Sequence, residues 1–75
     1  MDYSRYRHLP NALRKHRKAL GLTQKDVGEQ LHIDPDWISH WENGDCLPSL
    51  VSAMRLSRFY NSSVEELFIG LSEAC

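Results

Sequence analysis

Apolar residues along this chain recur at helical spacing in five short bursts, each closed by a turn signal. Leu9, Leu13, His16 and Leu20 fall on one face of a first helix, predicted from about Pro10 to Leu20, and Gly21 ends it. Thr23 is placed as the N-cap of a second helix, Gln24 to about Leu31, with Val27 and Leu31 inward and Asp26 giving a weak form of the capping box. Asp34 caps a third helix, residues 35–42, with Pro35 at the first helical position, where its missing N–H costs nothing. Asn43-Gly44 then reads as the C-cap. Ser49, after Pro48, starts a fourth helix from Leu50 to about Tyr60, and Ser63 with Glu66 forms a capping box for a final turn, Val64 to Phe68. The expected core is Ile38, Trp41, Leu50, Met54, Leu56 and Leu67. Trp37 lies about 100° around the helix from Ile38 and is expected to point outward.

Sustained two-residue alternation is absent, so the pattern predicts an all-α fold of five helices. Only His32, Ile33 and Asp34 separate the second helix from the third. Two short helices joined so tightly must cross steeply, which is the geometry of a helix-turn-helix.

At 75 residues the chain supports one small domain, with 41% apolar and 25% charged residues, an ordinary globular composition. The net charge of −1 conceals an asymmetry. Six of the nine Lys/Arg (Arg5, Arg7, Arg14, Lys15, Arg17, Lys18) fall in residues 1–18 beside a single acid, Asp2, whereas residues 19–75 hold three bases and nine acids. A basic end on an acidic body points to a polyanion or an acidic partner at that end. The organisation expected is a basic arm over 1–8, a helical domain over 9–69 and a short tail over 70–75. Cys46 and Cys75 have no paired spacing, and neither a membrane-length apolar run nor a signal peptide is legible, so a cytoplasmic protein without a membrane partner is expected.

The stretches LRKHRKALGLTQKDVGEQL, ISHWENG, PSL and SSVEELF, in that order and spacing, resemble the lambda-repressor-like helix-turn-helix domains of the XRE or Cro type. The resemblance covers residues 9–69 and implies a compact five-helix domain that binds double-stranded DNA. It implies that Gln24, helped by Thr23, holds a DNA phosphate, and that Arg17 and Glu42 form a salt bridge between the first and third helices. The third helix would enter the major groove, with Pro35, Asp36, Trp37, Ser39 and His40 at the base-facing positions. Further phosphate contacts are expected from the main chain of Asn43 and from Arg5, Arg7 and Arg14. The implied function is a transcriptional regulator, a small repressor, with a homodimer on paired half-sites and Phe68, Ile69 and Leu71 as its contact.

Several positions depart from the family pattern. Asp36 can only accept hydrogen bonds, which suits cytosine N4, and it repels phosphates. Asp45 and Cys46 stand where relatives commonly place Lys or Arg. Gly28 replaces the usual Ala, a change expected to weaken the helix by about 1 kcal/mol, and His32 replaces a turn glycine and would have to adopt positive φ. These departures keep a second reading open, a protein-interaction module on the same fold (antitoxin-like, anti-repressor or co-activator) in which Asp36, Trp37 and Asp45 face a protein. No metal, cofactor, small-molecule substrate or enzymatic activity is expected. His8, His16, His32 and His40 lack ligand spacing, and Ser39, His40 and Cys46 have no oxyanion loop beside them.

Overall fold

The computed structural model describes residues 11–68, in which helices α1 (Leu13–Ala19), α2 (Gln24–Leu31), α3 (Pro35–Asn43), α4 (Leu50–Tyr60) and α5 (Val64–Leu67) follow one another without a strand among the described residues. Each helix start has a local cause. Asn11 Oδ1 accepts from the Leu13 N–H, so α1 begins at Leu13 and not at Pro10, which lies outside the described residues. The Asn11 amide also donates to the Trp41 carbonyl at 3.0 Å, and the Ala12 N–H donates to the Leu67 carbonyl at 2.8 Å, which fastens the start of α1 to α3 and α5.

The two expected capping boxes exchange rank. Thr23 and Asp26 form the fully reciprocal box, each side chain bonded to the other's backbone N–H. Ser63 Oγ accepts from the Glu66 N–H, but the Glu66 carboxylate turns to the Ser62 hydroxyl at 2.6 Å. Asp34 caps α3 through the Asp36 N–H with Pro35 at the first helical position, and Ser49 caps α4 through the Ser52 N–H.

One core forms from Leu13, Val27, Leu31, Ile38, Trp41, Ala53, Leu56, Tyr60, Leu67 and Phe68, with Leu22, Ile33, Cys46, Phe59 and Val64 packed at its edge. Three expectations about it are corrected. Leu20 is 55% exposed, because α1 has ended at Ala19 and the chain turns away at Gly21 (φ 71°). Leu50 and Met54 are 74% and 55% exposed. The buried stripe of α4 is instead Ala53, Leu56 and Tyr60. Leu50 sits in the first turn, beyond the core's edge, and Met54 is rotated one residue off the stripe. Phe68, expected at a dimer contact, is 7% exposed within this chain's own core and offers almost no surface to a second copy.

Helices α2 and α3 meet through a left-handed His32 (φ 57°), whose N–H caps the Gly28 carbonyl. Arg55 of α4 donates to the Leu31 carbonyl, one of the carbonyls left orphaned where α2 ends. The turn therefore receives hydrogen bonds from its own backbone and from a third helix.

Candidate nucleic-acid interface

The third helix owes its orientation to a two-sided pattern. Ile38 and Trp41 anchor it in the core, which leaves Asp36, Trp37 and His40 exposed and Ser39 half-exposed on the other side, while the half-exposed Pro35 lies against Gly28 of α2. Trp37 is 52% exposed and points outward, its ring 5.9 Å from that of His40 and 6.5 Å from that of Trp41. Four of the five base-facing candidates, Asp36, Trp37, Ser39 and His40, thus lie on the outward side of α3, and Ser39 Oγ accepts from the Asn43 amide at 3.4 Å.

Behind this flank a buried carboxylate organises three helices. The Glu42 side chain is 1% exposed, and Arg17 donates to it through Nε at 2.7 Å and Nη2 at 3.0 Å. Arg17 also donates Nη1 to the Leu22 carbonyl at 2.9 Å, which ties the same guanidinium to the turn before α2. Gln24 Nε2 donates to Glu42 Oε1 at 3.2 Å, and Arg14 Nε donates to the same oxygen at 3.3 Å. Burial alone would raise the Glu42 pKa; the hydrogen bonds from Arg17 and Gln24 and the Arg17 charge outweigh it and hold the group below the usual carboxylate range. The hydrogen bond from Arg17 to Glu42 raises the pKa of the guanidinium in turn.

The phosphate candidates among the described residues collect at this junction. Arg14 Nη2 donates to Asn43 Oδ1 at 2.7 Å, so Arg14, Gln24 and Asn43 share one rim between the end of α3 and the start of α2. Thr23 is exposed beside them, its hydroxyl accepting from the Asp26 N–H. The hydrogen bond from the Thr23 backbone N–H, with one from its side chain, holds the Asp26 pKa low. Arg5, Arg7, Ile69 and Leu71 lie outside the described residues.

Two features are not evident from the sequence pattern. Arg14 is one helical turn before Arg17, an i,i+3 spacing that could have signalled a shared acidic partner. His40 Nδ1 lies 3.3 Å from Asp45 Oδ2, a pair that only the turn at Gly44 makes possible. No cluster of His, Cys, Asp or Glu suited to a metal ion is found among the described residues, and no described helix is long and apolar enough to cross a membrane.

This arrangement, an outward helix flank with a polar rim behind it, can fit a groove and grip the backbone on either side. Comparison with known proteins gives the same direction. The chain is 38% identical over 58 residues to an uncharacterized HTH-type transcriptional regulator of Methanothermobacter thermautotrophicus, covering 76% of this chain and 84% of that protein. A similar regulator of Archaeoglobus fulgidus is 32% identical over 57 residues, 76% of this chain and 81% of its own. The HTH-type transcriptional activator BcrR of Enterococcus faecalis is 34% identical over 58 residues, 77% of this chain, and the match spans only 28% of BcrR. No solved structure matches the chain significantly. Residues 13–67 match the helix-turn-helix family, and with the fold and the α2–α3 geometry this chain belongs to that family, in its lambda-repressor-like, XRE-type branch.

Proposed function

We propose that this protein is a sequence-specific DNA-binding transcriptional regulator that lays α3 in the major groove. The observation that carries this reading is the split of α3 into an anchored side, Ile38 and Trp41, and an outward flank of Asp36, Trp37, Ser39 and His40, with Pro35 at the edge against α2. Gln24, Thr23 and Arg14 grip phosphates from the rim beside it, with Arg5 and Arg7 adding charge; the N–H groups of Asn43, Gly44 and Asp45, expected to help, are taken up by the end of α3 and its cap. Repression is the mode proposed, since occupancy of a promoter is enough to block it. A homodimer on paired half-sites extends the proposal, its contact drawing on the apolar Ile69 and Leu71 and on the exposed Leu50, Val51 and Met54 of α4.

The test is selection from a pool of random duplexes at low and moderate salt. A defined, roughly palindromic site should emerge, and Gln24→Ala should weaken binding to it. Arg14→Ala should also flatten the salt dependence, by about 0.9 in slope for the one phosphate it no longer neutralises. Asp36→Asn should tighten binding overall and relax base choice at one position. Exposed Trp37 beside Asp36 and Asp45 favours a protein-interaction module as the second reading. No enrichment of any duplex at low salt would abandon DNA binding in favour of it.

A further inference from the structure

We infer that Asp45 is a positioning residue that sets which bases His40 can read, by fixing the tautomer of its imidazole. The inference rests on the DNA-binding reading above and adds a specificity element to it. The geometry begins in the backbone. Helix α3 ends in a paired cap: the Gly44 N–H donates to the Trp41 carbonyl at 3.2 Å and the Asp45 N–H to the His40 carbonyl at 2.9 Å, with Gly44 at φ 78°. This is the Schellman arrangement, which brings the second residue past the cap over the residue five positions earlier, usually as an apolar contact. Here those two positions hold Asp45 and His40, and their side chains meet at 3.3 Å through Oδ2 and Nδ1.

A carboxylate can only accept, so the contact is attractive only when Nδ1 carries the proton. A neutral His40 then holds its hydrogen on Nδ1, and Nε2, on the far side of the ring, is left as an acceptor. The Trp37 ring against His40 at 5.9 Å limits how the imidazole can turn, and Asp36 lies one helical turn before it on α3. In the major groove an acceptor matches the amino groups of adenine N6 and cytosine N4; a donor at the same place would match guanine N7 or O6, thymine O4 or adenine N7. With a neutral imidazole, Asp45 thus turns His40 from a residue that could read any base into one that selects amino-bearing bases.

Two variants separate charge from hydrogen bonding. Asp45→Ala removes the acceptor but leaves the backbone cap, whereas Asp45→Asn removes the charge and keeps a carbonyl acceptor. Nitrogen-15 NMR of the free full-length chain at mildly alkaline pH reads the tautomer without DNA. The Nδ1–H form should dominate in the parent protein and in Asp45→Asn, and the Nε2–H form in Asp45→Ala. Duplex selection should then show both variants binding more tightly overall. Only Asp45→Ala should lose the adenine or cytosine preference at one position, by roughly threefold to tenfold, the worth of one hydrogen bond. A parent protein with Nε2–H dominant would overturn the inference, as would unchanged base choice in Asp45→Ala. If the parent protein selects no site, the regulator reading fails and the base-contact half falls with it. The tautomer spectrum still decides whether Asp45 orients His40.

Discussion

Gly28 shows how a single residue changes meaning once its neighbours are known. On an open helix, Gly→Ala gains about 1 kcal/mol. Here a Cβ on Gly28 would stand 2.5 Å from the Ile33 carbonyl oxygen and 3.2 Å from Pro35 Cγ, and the first of these is backbone that cannot swing aside. The glycine is what lets the turn into α3 pass so close to α2. Gly28→Ala should therefore lose about 1–3 kcal/mol in urea denaturation, the cost of overpacking. His32 is the opposite case: it holds φ 57° where a β-carbon is strained, so His32→Gly should gain up to about 1 kcal/mol in the same measurement. Equal effects of the two substitutions would show that the turn is looser than this geometry.

At the scale of elements, one carboxylate joins α3 to side chains of both α1 and α2. Removing Arg17 leaves Glu42, 1% exposed, with only Gln24 and the half-exposed Arg14 as donors. Arg17→Ala should cost about 3–5 kcal/mol, the penalty for stranding a buried charge, and should lower the melting temperature accordingly. An unchanged melting temperature would mean that the pair is superficial. The same carboxylate predicts an acid response. Because its folded pKa lies below the ordinary value of 4.5, its contribution is fully present above that value and is lost as pH falls through the folded pKa. Glu42→Gln should be less stable at neutral pH yet lose less on acidification. Parallel acid limbs for the two proteins would remove Glu42 from this role.

At the scale of the whole molecule the described residues share a single core, and Tyr60 reports on its integrity from the alkaline side. Burial, aided by the nearby Glu42 charge and opposed by Arg17, pushes its phenol from 10.0 up to about 12. A raised folded pKa means stability that is intact below the ordinary value and lost between about pH 10 and pH 12, amounting to no more than about 3 kcal/mol. Tyr60→Phe should lack that alkaline loss when both proteins are melted across the window; an identical decline would show that the ring is wet. The exposed Leu50, Val51 and Met54 belong to this scale too, since no element of the described chain covers them.

Much of this protein is determined locally and is legible in the residues alone. Ser, Thr and Asp caps set the starts of α2 to α5, Gly21 and Gly44 set two ends, and the spacing of Val27, Leu31, Ile38 and Trp41 sets the inward faces of the helix-turn-helix. These features rest on hydrogen bonds and periodicities within a few residues, so the chain states them directly. Tertiary packing decided the rest. Leu50, Met54 and Leu20 have the same apolar character as Leu56, and only the edge of the assembled core leaves them outside. Gly28 became favourable only where the turn crosses it, and Arg14, Gln24 and Asn43 became one rim only because Glu42 gathers side chains from separate helices. Contacts of this kind depend on where distant segments meet in space, which no local spacing encodes.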